Sequence, residues 1–410
     1  MAEYGLLGKK LGHSFSKEIH SYIGDYKYEP MEMDENELDE FLKSKDFKAV
    51  NVTIPYKQTV IPYLDEMTDA AKKIGAVNCI KNKDGKLIGH NTDFEGFRDL
   101  LIKNGVSLEG KKVLILGTGG TSDTVNAVCE SMNTGSIIKV SRTARNGAVT
   151  YEEAKIFHND AQIILNTTPS GMYPDVDSCP ITLDEFNELE AVMDVIFNPL
   201  RTKLISNALQ KNIKAEGGLY MLVAQAVRAS EFFMDTVYPA SLCKDIFNKI
   251  LKSKTNIVLT GMPASGKTTI GTRVSEILQR EFIDTDLLIE ENAKMSIPEI
   301  FEKYGEAHFR ELEIEAVKQA SRHCGVVIAT GGGAILREEN IKALKMNGKI
   351  FFRDRHPDLL IPTSDRPTAF DKEQMLKRYE ERYPIYTKTA DFIVDQDSIK
   401  AATKQIIENL

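Results

Sequence analysis

Between Asn256 and Thr269 the chain reads NIVLTGMPASGKTT: a short apolar run, a loop closed by two glycines, and the start of a helix near Gly266. The loop has the form Gly261-x-x-x-x-Gly266-Lys267-Thr268, the spacing of a phosphate-binding loop. No other stretch constrains the fold as much. Such a loop needs a buried strand before it and a helix after it, so its surroundings must be α/β. Glycines let backbone N–H groups turn inward with no Cβ in the way. The following helix points its positive end at the phosphates. In this pattern Lys267 reaches the β- and γ-phosphates and the Thr268 hydroxyl holds Mg2+.

The motif begins past residue 250 of a chain of 410 residues, a length that suggests two or three domains. The formal charge is −8, with no lysine-rich block, which argues against nucleic acid as the main partner. The first residues, MAEYGLLGKK, carry no apolar signal core, and no run approaches the ~18 apolar residues of a membrane span. The five cysteines (Cys79, Cys129, Cys179, Cys243, Cys324) form no C-x-x-C pair. Neither a zinc site nor a disulfide framework is expected, and a reducing cytoplasm fits best. The second half is not a repeat of the first.

Residues 1–100 alternate strand-like and helix-like segments. Tyr4–Gly8 and Ala49–Ile54 read as strands, Asp34–Lys43 and Lys57–Met67 as helices, which together imply a mostly parallel layer. A second α/β unit starts at Gly110 with the apolar strand Lys112–Leu116. Further strands are expected at Ser136–Val140, Ala161–Asn166 and Ala191–Ile196. Helices are expected at Thr202–Lys211, Leu219–Met234 and Tyr238–Leu251. Lys252–Thr255 reads as a polar hinge. Beyond it, strands are expected at 257–260, 326–329, 349–353 and 391–394, with a strongly helical 298–321.

The strand Lys112–Leu116 runs into Gly117-Thr118-Gly119-Gly120-Thr121-Ser122, a variant dinucleotide loop in which Ser122 takes the place of the third glycine. After the next strand an NAD enzyme keeps an acidic residue for the ribose. This chain has Ser141-Arg142-Thr143-Ala144-Arg145. Arg142 and Arg145 suit a 2′-phosphate, so NADPH is expected rather than NADH. Asp123 fits this loop only if it points away from the phosphates.

Across residues 1–250 the chain resembles shikimate dehydrogenases. The resemblance rests on six blocks in order: Gly12–Ser16, Asn51–Lys57, Gly75–Asn78, Gly89–Asp93, Asn166–Met172 and Gly217–Gln225. It implies NADPH-dependent reduction of 3-dehydroshikimate to shikimate. It implies Lys57 as proton donor and Asp93 as the residue that positions both Lys57 and the substrate hydroxyl. By the same resemblance Ser14 and Ser16 grip the substrate carboxylate, and Thr53, Asn78, Phe197 and Gln225 line the substrate. Val195 and Gly218 join Gly117–Thr121, Ser141, Arg142, Thr143 and Arg145 at the cofactor. The chain departs from the pattern twice. Lys17 stands where the family usually has proline, and Phe197 where it usually has tyrosine, which removes one substrate-side hydroxyl.

From residue 256 to about 395 the chain resembles shikimate kinases. Besides the phosphate loop, the resemblance rests on Asp284-Thr285-Asp286, Gly305-Glu306-x-x-Phe309-Arg310, Gly331-Gly332-Gly333, Asp365-Arg366-Pro367 and Arg382-Tyr383-Pro384-x-Tyr386. It implies transfer of the ATP γ-phosphate to the 3-hydroxyl of shikimate. Gly261, Met262, Pro263, Ala264, Ser265, Gly266, Lys267, Thr268 and Thr269 would hold ATP. Thr268 and Asp284 would hold Mg2+. Asp286 would bind the acceptor hydroxyl, Arg310 and Arg382 would clamp the carboxylate, and Gly332 would let the backbone approach the ring. Arg366, in a lid over about 362–374, would neutralise the moving phosphate. Taken alone, Arg310 reads as an ion-pair partner of Glu306 or Glu313.

The expectation is therefore an α/β chain in three parts. Residues 1–100, joined by the returning helices of 219–252, form a substrate domain. Residues 101–252 form a Rossmann-type NADP domain and 253–410 a P-loop kinase domain with a parallel sheet. The expected function is two consecutive steps of the shikimate pathway toward chorismate and the aromatic amino acids. Small molecules are the expected partners, with no nucleic acid and no membrane, and a homodimer among the states left open. Two other readings stay open: a dehydrogenase for shikimate or quinate, and a P-loop module that binds ATP only to regulate.

Overall fold

The protein is seen in a computed structural model that describes residues 3–12, 14–145, 147–356, 358 and 372–410. Its contacts divide it into two compact units, residues 1–250 and 251–410.

The first unit begins with β1 (Tyr4–Gly8), α1 (Ser16–Ile23), β2 (Tyr28–Glu32), α2 (Glu35–Ser44), β3 (Ala49–Val52), β4 (Glu66–Met67), α3 (Asp69–Ile74), β5 (Cys79–Lys83) and β6 (Lys86–His90). These strands form one sheet in the order β2-β1-β3-β5-β6-β4. It is mostly parallel, as expected, with one exception: β5 runs antiparallel to β3 and to β6. The cause is Asp84-Gly85, both at positive φ, which turns the chain straight back as a tight hairpin. Lys57–Met67 is not the expected helix. It holds turns, one 3-10 turn at Ile61–Tyr63 and strand β4. Pro62 has no N–H to give to a carbonyl one turn back, and Tyr56 and Val60 bury in the core instead. Strand β3 stops at Val52, two residues early, before the Ile54-Pro55 bond.

The unit continues with α4 (Asp93–Lys103), β7 (Lys112–Leu116), α5 (Gly120–Ser131), β8 (Ser136–Ser141), β9 (Val149–Thr150), α6 (Tyr151–Phe157), β10 (Ile163–Asn166), β11 (Ala191–Asp194), α7 (Lys203–Gln210), β12 (Lys214–Glu216) and α8 (Leu219–Met234). The second sheet is parallel, ordered β12-β11-β10-β7-β8-β9. Val113 and Ile115 pack into one core and Leu114 and Leu116 into another, so both faces of β7 are covered. That is why its sequence is an unbroken apolar run. The chain leaves β7 toward β8 on one side and returns to β10 on the other. The gap above β7 and β10 is thus a topological switch point, where such sheets bind ligands. Helix α8 packs back on α4. A side chain at Gly96 would meet the Met221 carbonyl at 2.9 Å and Gln225 Cβ at 3.1 Å.

Helix α9 (Leu242–Lys254) runs through most of the expected hinge, leaving only Thr255 outside it. The second unit then contains β13 (Asn256–Thr260), α10 (Lys267–Leu278), β14 (Phe282–Asp284), α11 (Thr285–Ala293), α12 (Ile297–Ser321), β15 (Val327–Ala329), α13 (Glu338–Asn347), β16 (Gly348–Arg353), α14 (Lys372–Thr389), β17 (Phe392–Val394) and α15 (Ile399–Glu408). Its sheet is parallel throughout, ordered β14-β15-β13-β16-β17, with β13 buried at the centre. Helix α12 is two helices meeting at Gly305, whose φ of 81° and ψ of 175° are not helical. Among the described residues no helix is long and apolar enough to cross a membrane.

Candidate active sites

In the first unit the Lys57 ammonium donates to Asp93 Oδ2 at 2.5 Å. Both ends of this contact are braced. The Lys57 carbonyl accepts from the Val77 N–H at 2.8 Å, and the neighbouring Tyr56 ring is buried with its hydroxyl on the Met33 carbonyl at 2.7 Å. Asp93 opens α4, and its N–H donates to Asn91 Oδ1 at 3.0 Å. Asn91 is itself buried and tied to the Ala76 carbonyl at 2.9 Å. The Asp93 side chain is 7% exposed and that of Lys57 26%, so the pair is desolvated on the carboxylate side and open on the ammonium side.

Asn78 stands next to this pair. Its Oδ1 accepts from the Thr92 N–H at 2.8 Å, and its Nδ2 donates to Thr92 Oγ1 at 3.1 Å and Gln225 Oε1 at 3.3 Å. Asn78, just before β5, thus joins Gln225 of α8 to Thr92, the residue that precedes Asp93. Ser14 and Ser16 bond to each other, Oγ to Oγ at 3.1 Å, just before and at the start of α1. No hydrogen bond ties them to Lys57 or Asp93 among the described residues. Between them, buried Phe15 meets Phe197 edge-on at 5.3 Å, which brings the serine loop and Phe197 together. Thr53 anchors the end of β3, its N–H on the Leu7 carbonyl at 2.9 Å. Lys17 forms an exposed ion pair with Glu29 at 2.6 Å.

At the switch point, Gly117 has φ +111°, and a side chain there would meet Thr167 Oγ1 at 2.7 Å. Ser122, in the place of a third glycine, donates to the Gly117 carbonyl at 2.8 Å and closes the turn. Gly119 caps α5 with no side chain on its free N–H groups, and the space beside Gly119 and Gly120 is open. The loop presents donors and room, which fits a pyrophosphate. Asp123 points away to Lys139, at 2.9 Å, which removes the conflict that its sequence position suggested. Arg142, Thr143 and Arg145 are exposed at the end of β8, and Ser141 is buried with its hydroxyl on the Thr143 carbonyl. Val195 and Gly218 touch backbone to backbone: a side chain at Gly218 would run into the Val195 carbonyl.

In the second unit the phosphate loop joins β13 to α10. Gly266 has φ +90° with open space at its Cβ position. Ala264 has φ +63°, a left-handed conformation that costs an L-residue roughly 1 kcal/mol and is typical of functional loops. Lys267 is buried and turned back over the loop, its Nζ on the Gly261 and Met262 carbonyls at 2.9 Å each. Thr268 Oγ1 lies 2.9 Å from Asp284 Oδ2. Asp284 caps α11 by accepting from the Asp286 N–H, so Asp286 sits in the first helical turn.

Asp286, Arg310 and Arg382 converge on one short segment, Gly331–Gly333. A side chain at Gly331 would meet Asp286 Oδ1 at 2.6 Å, and one at Gly333 would run into Arg310 Nη1. The Gly332 carbonyl accepts from Arg382 Nη1 at 3.0 Å and Tyr386 OH at 2.6 Å, and Gly332 packs on Pro263 of the phosphate loop. Arg310 also forms both ion pairs that its helix spacing allows, with Glu306 at 2.9 Å and Glu313 at 3.0 Å. Glu313 is buried. Burial pushes its carboxyl up, the Arg310 charge opposes that, and nearby Asp286 adds to it. Arg366, with residues 362–371 of the expected lid, lies outside the described residues.

Sequence reasoning passed over several contributors. Asn91 and Thr92 lie inside the Gly89–Asp93 block but carried no role, and Tyr386 closes the Arg382 motif with none. Glu313 entered only as a helix-spacing partner of Arg310, and nothing in its sequence position marks it as buried.

Residues 263–410 match the family model described as shikimate kinase, and residues 6–80 match that of the shikimate dehydrogenase substrate binding domain. Over 265 residues the chain is 37% identical to the shikimate dehydrogenase (NADP(+)) of Clostridium beijerinckii, covering 60% of this chain and 97% of that protein. The same-named protein of Bacillus subtilis is 31% identical over 54% of this chain and 88% of its own length. Among solved structures, shikimate dehydrogenase 1 from Peptoclostridium difficile is similar, with 32% identity, a TM-score of 0.56, and coverage of 61% of this chain and 98% of that one. The shikimate 5-dehydrogenase of Thermus thermophilus, solved with NADP(H) and shikimate, matches at 26% identity and a TM-score of 0.55, covering 61% of this chain and 99% of that one.

Proposed function

Because this chain belongs to the shikimate dehydrogenase family and carries a shikimate kinase family domain behind it, we propose that it performs two consecutive reactions. Residues 1–252 reduce 3-dehydroshikimate to shikimate with NADPH. Residues 253–410 transfer the ATP γ-phosphate to the shikimate 3-hydroxyl. Within the first part, residues 1–100 and the returning helices hold the substrate, and residues 101–252 hold the cofactor. One observation carries the reading of the whole chain: a carboxylate and two guanidiniums, Asp286, Arg310 and Arg382, converge on Gly331–Gly333 beside the phosphate loop. A module that only sensed ATP would have no use for a second, acidic-ligand clamp. Such a clamp suits a hydroxylated carboxylic acid, the product of the first half.

In the first reaction NADPH supplies a hydride. The ketone that accepts it develops negative charge on oxygen and needs a proton there. Lys57 gives that proton. Asp93 holds the ammonium toward the substrate and accepts from the substrate hydroxyl. Asn78 and Gln225 bond each other and offer their remaining amide groups to the ring hydroxyls. Ser14 and Ser16 take the carboxylate, and Thr53 and Phe197 line the site. At the switch point, Gly117, Thr118, Gly119, Gly120 and Thr121 take the pyrophosphate. Ser141, Arg142, Thr143 and Arg145 take the 2′-phosphate, and Val195 and Gly218 form the nicotinamide side.

In the second reaction the loop Gly261–Thr269 wraps the ATP phosphates. Lys267 exchanges its carbonyl contacts for phosphate oxygens. The Thr268 hydroxyl and Asp284, already in contact, suit Mg2+, a cation that keeps several waters and takes few protein ligands. Asp286 orients the acceptor hydroxyl and receives its proton. Arg310 and Arg382 grip the carboxylate, and Arg366 is assigned to the moving phosphate. ATP consumption by the purified chain tests this half: it should require shikimate. Consumption indifferent to shikimate would leave only a nucleotide-binding module.

A further inference from the structure

Strand β16, beside the central β13, ends at Arg353, and Arg355 follows two residues later. Arg353 is 3% exposed. Its guanidinium donates only to backbone carbonyls: Ser265 at 3.3 Å, Asp354 at 3.3 Å, Val394 at 3.2 Å and Asp397 at 3.4 Å. These bonds are long. Burial, and then the charge of Arg355, pull Arg353 below its usual range, and carboxylates act on it only through space. Arg355 Nε is buried without a hydrogen-bond partner among the described residues. Both arginines line one cavity of about 450 Å3 together with Ser265, Gly266, Lys267, Thr268 and Asp284.

Two guanidiniums in one cavity repel, and Asp397, a carboxylate that shares it with them, acts on Arg353 only through space. A fold keeps such a pair where an anion completes it. The same cavity separates its charges: Thr268 and Asp284 offer oxygens suited to a cation, while the arginines offer donors. The only strongly anionic part of a nucleotide is its phosphate chain, and the cavity is walled by the phosphate loop. The two arginines differ in freedom. Arg353 is spent on the loop: its Nε holds the Ser265 carbonyl, and Gly261 lies so close that a side chain there would meet the Arg353 carbonyl at 2.6 Å. Arg355 has a donor to give.

We propose that Arg355 binds the nucleotide's phosphates from the β16 side of the loop, and that Arg353 is a positioning residue that fixes the loop to the end of that strand. The proposal rests on the ATP reading above and adds a contact outside the phosphate-loop motif. Arg355 is a fixed cation with a planar fork of donors, which suits phosphate oxygens.

Titration calorimetry of the full chain with ATP, and separately with adenosine, tests it with no acceptor present. Arg355→Ala should weaken ATP by about tenfold to a hundredfold, the span of one to two charge-assisted hydrogen bonds, and leave adenosine unchanged. Arg355→Lys should keep part of the ATP affinity, and it stands in if the alanine variant does not fold. The dehydrogenase rate of each variant should equal that of the native chain. Unchanged ATP affinity in Arg355→Ala would overturn the proposal. So would equal losses for ATP and adenosine, which would place Arg355 on the base. A native chain that binds no ATP would instead overturn the nucleotide reading itself. ATP binding without shikimate-dependent turnover would leave the Arg355 contact standing and remove the kinase reaction.

Discussion

Lys57 Nζ and Asp93 Oδ2 lie 2.5 Å apart although 36 residues separate them in the chain. Lys57 sits on the turn after β3, and Asp93 opens α4 directly after β6. The mixed sheet places those two ends together, and hydrogen bonds from Asn91, Val77 and Tyr56 fix the segments on which they ride. Surface ion pairs of this type contribute little to stability. This one is half-desolvated and rigidly framed, the arrangement expected of a group kept for chemistry.

Lys57→Ala should therefore lower shikimate-dependent NADP+ reduction by about a hundredfold to ten-thousandfold, the usual contribution of a positioned proton donor. Far-UV circular dichroism and the kinase rate should be those of the native chain. Turnover near the native rate would remove Lys57 from the mechanism.

Arg142→Ala should separate the two nicotinamide cofactors. Loss of the guanidinium should raise the NADPH KM by about tenfold or more, the size of one charge-assisted hydrogen bond, and barely change that for NADH. An unchanged NADPH KM would place the 2′-phosphate elsewhere.

Gly333→Ala tests the acceptor site without replacing a charged group. The added methyl would overlap Arg310 Nη1, and Arg310 is tethered by Glu306 and Glu313. The guanidinium must move, so the shikimate KM of the kinase reaction should rise by about tenfold, the loss of one strong contact, with ATP binding retained. An unaffected KM would mean that Arg310 does not touch the acceptor.

Asp194 gives a pH-dependent prediction. It is buried on β11, and burial pushes its carboxyl up to about 6 against the bonds from Ile196, Thr202 and Asn166. A folded value above the unfolded one favours folding fully below about pH 4, and that contribution is lost as pH rises through about 6. A carboxyl raised from about 4 to about 6 corresponds to roughly 3 kcal/mol. Hydrogen exchange at β10 and β11 amides should show the native chain losing about that much stability between pH 4 and pH 7, relative to Asp194→Asn. A difference that is flat with pH would contradict the assignment.

Much of this was legible in the sequence because local patterns and tertiary structure agree. The apolar runs of β7 and β13 announce strands covered on both faces, and the glycines after them announce tight turns into helices. The failures have equally local causes. The stretch from Lys57 to Met67 has helical spacing, but Pro62 forbids the helix and the core takes Tyr56. The one reversed strand, β5, was written in Asp84-Gly85, a hairpin signal overshadowed by the βα alternation around it. Lys252–Lys254 looked like a linker because polar residues also end helices. Glu313 and Asp194 carried no sign of burial, since a carboxylate reads as surface until its partners are known. Arg353 and Arg355 stand at a charged strand end, and nothing in their sequence position marks the cavity that they line.

One chain is proposed to make shikimate and then phosphorylate it. A single reaction holding the purified chain, 3-dehydroshikimate, NADPH and ATP·Mg2+ tests it most directly, with products followed by mass spectrometry. NADPH oxidation is expected, with shikimate as an intermediate and then shikimate 3-phosphate. Shikimate that accumulates with ATP untouched would contradict it.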